Sequence, residues 1–214
     1  MARRKLHLTG DPDADTLLTN DPLALLIGMV LDQQVPLEWA FRSPLELSRR
    51  LGGTLDAATI ADMDPAVFAA AFTEKPALHR YPGSMAARVQ ALCQTVTEEY
   101  GGEAAAVWKG AADGAELRRR VEALPGFGPQ KARIFVALLG KQLGVEPAGW
   151  REASAPYGEA TSCYSVADIV DAASLDRVRA HKQQMKAAAK AKGVKKTVRT
   201  AAKKAPARSP ATRR

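Results

Sequence analysis

The sequence predicts an all-α fold. Apolar residues recur at three- and four-residue intervals in segment after segment, and each segment is fenced by residues that start or stop helices. Nowhere does the alternation of a half-buried strand run on. Asp21 is a good N-cap for the first strong segment, Pro22 to Leu31, where Leu23, Leu26, Ile27, Val30 and Leu31 form one stripe. Ser43-Pro44 predicts the start of a helix over Leu45 to Leu51, stopped by Gly52-Gly53. Two short helices follow, Thr59 to Met63 and, behind the cap Asp64 and Pro65, a second through Phe72. Ser84 to Tyr100 is longer, with Met85, Val89, Leu92, Val96 and Tyr100 apolar, and Gly101-Gly102 ends it. Gly114 to Ala123 and Pro129 to Leu139 read as a pair flanking a tight turn, and Asp171 or Ser174 caps a last helix reaching Met185.

At 214 residues the chain holds one sizeable domain or two small lobes, and 46% apolar residues suffice for a core. The net charge of +8 is unevenly spread. Residues 186–214 contain 11 of the 31 Lys and Arg and none of the 23 Asp and Glu, so the remaining body is net negative by three. The tail is built from Ala, Lys, Arg, Thr and Pro without an aromatic residue, a composition expected to be disordered when free and suited to lie along phosphates. A basic balance therefore points to nucleic acid only for the tail; for the body the case rests on local chemistry. No apolar run approaches the roughly 20 residues that span a bilayer. The N-terminus lacks the apolar core of a secretory leader, and Cys93 and Cys163 make no disulfide framework. The expectation is a cytoplasmic, monomeric protein associated with the nucleoid.

The strongest local signal is ELRRRVEALPGFGPQKARIFVALLG, residues 116–140. A helix bearing Leu117, Val121 and Leu124 stops at Pro125, Gly126-Phe127-Gly128 turn the chain, and Pro129 opens the next helix. Two glycines remove side chains and permit positive φ, so a phosphate can approach backbone amides at a helix N-terminus. Lys131 and Arg133 lie close enough in sequence to add phosphate contacts.

Leu124-Pro125-Gly126-Phe127-Gly128 and the helix after it resemble the helix-hairpin-helix of the endonuclease III-like DNA glycosylase superfamily. DPLALLIGMVLDQQVPLEWAF, residues 21–41, resembles that family's first barrel helix with its Gln-bearing loop. Tyr81-Pro82-Gly83-Ser84-Met85-Ala86-Ala87-Arg88 resembles the turn that leads into a later helix. The resemblance covers 21–140 well and 141–185 loosely. It implies a two-lobed helical fold, with residues 21–140 as a barrel lobe carrying the hairpin and residues 1–20 plus 141–185 as the second lobe. It also implies that Gly126 and Gly128, with Phe127 between them, hold a phosphate of double-stranded DNA. Gln130 and Lys131 begin the DNA-facing helix, and Gln34, with Gln33 as the alternative, fills the gap left by a flipped base.

Hydrolysis of an N-glycosidic bond needs a carboxylate beside the sugar. The family's Asp follows the second hairpin helix, and the apolar entry Cys163 to Ile169 makes Asp168 the candidate, with Asp171 as competitor. Asp168 stands about twice the family's separation from Gly128, so residues 141–163 are expected to be an inserted loop carrying Trp150 and Tyr157 over the cleft. The family's lyase lysine corresponds to Gln130, whose amide cannot form an imine, with Lys131 one place further on. The implied activity is a monofunctional base-excision glycosylase without strand cleavage; the alternative is a non-catalytic protein that binds distorted DNA. Two cysteines are too few for an iron–sulfur cluster or zinc site, and no other metal or cofactor is expected. His7, His79 and His181 are expected at the surface, although His79 and Tyr81 are candidates to contact DNA. Trp39 and Trp108 suit a core or interface better than a base, whereas Trp150 remains available for stacking.

Overall fold

The computed structural model describes residues 5–185 and Ala187. The tail, residues 186–214, lies outside the described residues apart from Ala187. The elements in order are α1 (Pro12–Asn20), α2 (Pro22–Leu31), α3 (Leu37–Arg50), α4 (Ala57–Asp62), α5 (Pro65–Thr73) and α6 (Pro82–Tyr100). After a 3₁₀ turn at Ala104–Val107 come α7 (Gly114–Ala123), α8 (Pro129–Leu143), the single turn α9 (Trp150–Ala153) and a second 3₁₀ turn, Val166–Asp168. A last helix opens at residue 172. The fold is all-α, and among the described residues there is no β-strand. Chain contacts divide the molecule after Val178. The described residues up to that point form one compact unit; those beyond it, 179–185 and 187, are helical. Among the described residues no single helix is long and apolar enough to cross a membrane.

The core is organised on α2, in which nine of ten residues are buried. Helices α1, α3 and α6 pack against it, while α4 and α5 pack on α6, and α7 lies along α8. Asp21 closes α1 and opens α2, accepting the amides of Leu23 and Ala24. A capping carboxylate at a helix start is worth about 1 kcal/mol, and burial here raises the Asp21 pKa even as these amides oppose it.

Three sequence expectations need correction. Helix α1 was not anticipated, although Asp11-Pro12 carries the same cap-and-proline signal as Asp21-Pro22. The second helix does not begin at Pro44: α3 runs from Leu37 to Arg50 with Pro44 inside it. An interior proline costs about 3 kcal/mol, but Phe41 and Leu47, before and after it, are fully buried, at roughly 1.5–3 kcal/mol each. The Ser43 hydroxyl further anchors the proline turn, with its one proton shared between the nearby carbonyls of Trp39 and Leu78. Finally, residues 141–163 do not lift Trp150 over a cleft. Its indole is 6% exposed and lies flat against α8, where a β-carbon on Gly140 would sit 2.5 Å from the ring. Gly114 likewise meets the Trp150 backbone, so the two glycines let α7, α8 and α9 close on one tryptophan.

Candidate nucleic-acid interface

The hairpin joins α7 to α8 through Leu124–Gly128. Leu124 and Phe127 are buried, and the Phe127 ring meets Phe135 edge-on at 5.6 Å. The side chain of Phe127 is therefore a core anchor that fixes the turn. Gly126 carries the positive φ, +87°, and a β-carbon there would come within 3.0 Å of Arg88 Cδ and 3.1 Å of Val30 Cγ2. Gly128 differs from expectation. Its φ is −106°, open to any residue, and a β-carbon on it would meet nothing within 4 Å. Gly128 is the N-cap of α8, and no side chain caps that helix. The first-turn amides of Gln130 and Lys131 have no intrahelical acceptor, so the helix start presents donors and a positive dipole end to solvent.

A polar cluster lies beside the hairpin, at the C-terminus of α2. Buried helix carbonyls need donors, and these come from distant parts of the chain. Lys131 Nζ donates to Val30 O at 3.1 Å, and Gln33 Nε2 donates to the same oxygen at 2.8 Å. Arg88 donates to Gln33 Oε1 at 3.0 Å. His79 accepts the Tyr81 amide on Nδ1, so Nε2 carries the proton and donates to Gln33 O at 3.0 Å. Burial, opposed by its bonds to this loop, lowers the His79 pKa below the usual histidine value. Burial likewise pulls the Lys131 amine down from 10.5 to about 8; Asp32 opposes the shift and Arg88 adds to it.

These contacts separate the two glutamines. Gln33 is a half-buried tether, whereas Gln34 is exposed at φ 55°, the only non-glycine residue with positive φ among the described residues. Such a conformation costs about 1–2 kcal/mol, and the pinned carbonyl of Gln33 holds the chain just before it. Gln34 is thus the residue the loop presents.

Asp168 does not join this cluster. Its Oδ1 meets Lys141 Nζ at 2.5 Å and accepts the Ser162 hydroxyl at 2.8 Å, while Oδ2 accepts the amides of Tyr164 and Ser165. Both oxygens are consumed in a capping box and a buried ion pair, and the side chain is 5% exposed. Lys141 lies ten residues along α8 from Lys131, roughly 15 Å at 1.5 Å per residue. Asp171 is exposed and caps the last helix, with the Ser174 amide and hydroxyl lowering its pKa. Gln130 is exposed and donates to the Tyr157 hydroxyl. Arg133 turns away, toward the carbonyls of Pro129 and Ala155.

The aromatic and histidine expectations also change. Trp39 is 39% exposed and Trp150 buried, the reverse of their assigned roles, and His79 is 1% exposed rather than at the surface. Sequence reasoning did not connect Arg88, Asp32 and His79 with the loop. A signal existed: Arg88 stands between Met85 and Leu92 at helical spacing, a cation at the edge of an apolar stripe. Among the described residues no group of three His, Cys, Asp or Glu could hold a metal. The chain matches no protein-family model, no curated protein and no solved structure.

Two predictions follow from the geometry of Asp168 and Lys131. Asp168→Asn leaves Lys141 without its counter-charge and is expected to lower unfolding free energy by about 3 kcal/mol, whereas Asp171→Asn is nearly neutral because asparagine also caps well. Urea titration of both variants checks the ordering, and equal stability would place Asp168 outside the framework. For Lys131, the unfolded chain holds more protons than the folded one between pH 8 and 10.5, so stability rises with pH across that window. The unfolding free energy of wild type minus Lys131→Met should climb between pH 8 and 10.5 and stay flat below. A difference independent of pH would contradict the depressed amine.

Proposed function

We propose that the protein grips double-stranded DNA through its helix-hairpin-helix, with Gly128 and the start of α8 taking a phosphate and the Gln33-Gln34 loop facing the adjoining nucleotides. The observation that supports this reading most is the uncapped start of α8 at Gly128, beside a pinned loop that presents Gln34. Neither feature helps the fold alone: one leaves donors unused, and the other holds strain. A DNA phosphate and an adjoining nucleotide give both a purpose. Arg88 and Lys131 supply positive charge next to the turn. The two-lobed arrangement of the helix-hairpin-helix glycosylases belongs to this proposal, as does a role in DNA repair. Asp168 lends no support to excision by that carboxylate, because its oxygens are occupied at the far part of α8. The binding reading therefore stands ahead of the monofunctional glycosylase.

A second reading, base excision through a different residue, is favoured by the Lys131 amine. With a pKa of about 8, a minor fraction is unprotonated near neutral pH, and a neutral amine can attack the sugar C1′ and displace the base, which leaves with one amine proton; opening of the C1′–O4′ bond, with the second proton passing to O4′, then gives the imine. Borohydride reduction on duplex containing an abasic site should then trap a covalent complex with wild type and none with Lys131→Gln. The absence of a trapped complex with wild type sinks this reading and leaves the binding reading untouched.

The hairpin itself is tested by Gly128→Ala. A β-carbon there meets no protein atom and φ is permitted, so thermal stability should hold while it blocks the approach of a phosphate. Duplex affinity is expected to fall about tenfold, roughly one lost charge-assisted hydrogen bond. Unchanged affinity in fluorescence anisotropy would remove the hairpin from the interface.

A further inference from the structure

Two large aromatic side chains stand half in solvent on one side of the Gln33-Gln34 loop: Trp39 is 39% exposed and Tyr81 43%. Both lean on the same imidazole. The His79 ring, itself 1% exposed, lies 6.4 Å from Trp39 with a tilt of 33° and 6.1 Å from Tyr81 with a tilt of 43°. The His79 nitrogens are bonded to the Tyr81 amide and the Gln33 carbonyl, which fixes the ring that supports the two. Single exposed aromatics are ordinary, but two resting on one fully bonded buried ring form an oriented surface.

The surface is continuous with the hairpin through short contacts. Arg88 lies against the position of Gly126, holds Gln33 Oε1, and Gln33 O in turn receives His79. The Arg80 guanidinium lies over the Tyr81 ring, 5.4 Å from its centre, so a flat cation rests on this aromatic and extends the stacking surface. An aromatic surface that carries arginine complements a base and the phosphate attached to it. In a paired duplex each base face is already covered by its neighbours. Only an unpaired base offers a free face, and stacking accepts any base because every base has one.

We propose that Trp39 and Tyr81, set by His79, form a platform for the face of one unpaired nucleobase, so that the protein selects duplex DNA carrying an unpaired base over fully paired duplex. This inference rests on the hairpin reading above and assigns that site its substrate class.

The test compares binding to a fully paired duplex with binding to the same duplex carrying one bulged 2-aminopurine. Wild type is expected to bind the bulged duplex about tenfold more tightly, the scale of one base–aromatic stack, and to quench the 2-aminopurine fluorescence. The Trp39→Leu/Tyr81→Leu variant should bring the affinity ratio to about one and leave the fluorescence unquenched, while Trp39→Phe/Tyr81→Phe keeps most of both effects. Tyr81→Leu alone, altering the more exposed ring, should lose part of the ratio and serves if the double variant fails to fold. A ratio of one in wild type that still binds paired duplex overturns the platform and spares the hairpin reading. A ratio undiminished in a folded leucine variant also overturns it. Absence of binding to either duplex overturns both.

Discussion

The carbonyl oxygens at the end of α2 must find donors, and much of the candidate site is the answer to that demand. Nine of the helix's ten residues are buried, so water is not at hand where the chain leaves it. Asp32 N reaches Gly28 O, Gln33 N reaches Leu31 O, and the side chains of Lys131 and Gln33 converge on Val30 O. His79 continues the series at Gln33 O. An unmade hydrogen bond in such a place costs about 1–3 kcal/mol, so these three side chains are positioned by the core's own requirement, and Arg88 is held in turn by Gln33 Oε1. A consequence is that the cations beside the hairpin are rigid, with their aliphatic stems packed and their heads bonded.

Helix α8 divides its work between its two parts. The start, uncapped and exposed at Gly128, has unused donors. The later turns carry Lys141, which pairs with Asp168, and Gln142, whose amide holds the carbonyls of Val166 and Ala167. That second set fastens the segment after α9 to the helix, and the whole Asp168 carboxylate is spent on it. Between the two, Ala132, Phe135, Val136 and Leu139 bury the helix and keep the parts in register. A buried ion pair is often no more stabilising than apolar packing, but it admits one arrangement only.

Local chemistry was legible in the sequence, and long-range partnership was not. Pro22–Leu31 and Gly114–Ala123 follow from a cap or proline start and a single apolar stripe, signals contained in a dozen residues. Pro44 misled because its local meaning, a helix start, was overruled by the burial of Phe41 and Leu47. The hairpin could be located, but which glycine needs positive φ could not; that depends on Arg88 and Val30 crowding Gly126 from elsewhere in the chain. Asp168 looked like a free carboxylate since its partners, Lys141 and Ser162, are chosen by the folded path of residues 144–162. The exchange of roles between Trp39 and Trp150 has a similar origin. Gly114 and Gly140 make room for Trp150, and no rule of spacing within one segment reveals a cavity shaped by two others.

The bonds that build the site also fix when it exists. Lys131 and Val30 are 101 residues apart, Arg88 and Gln33 are 55 apart, and His79 and Gln33 are 46 apart. Contacts of such long sequence separation close late, after the local helices have formed. During synthesis, α2 and its loop leave the ribosome well before α8, and until Lys131 arrives the end of α2 lacks one of its donors. The arrangement beside the hairpin is thereby a property of the chain folded through α8: without Lys131 the end of α2 lacks a bond that the finished structure has.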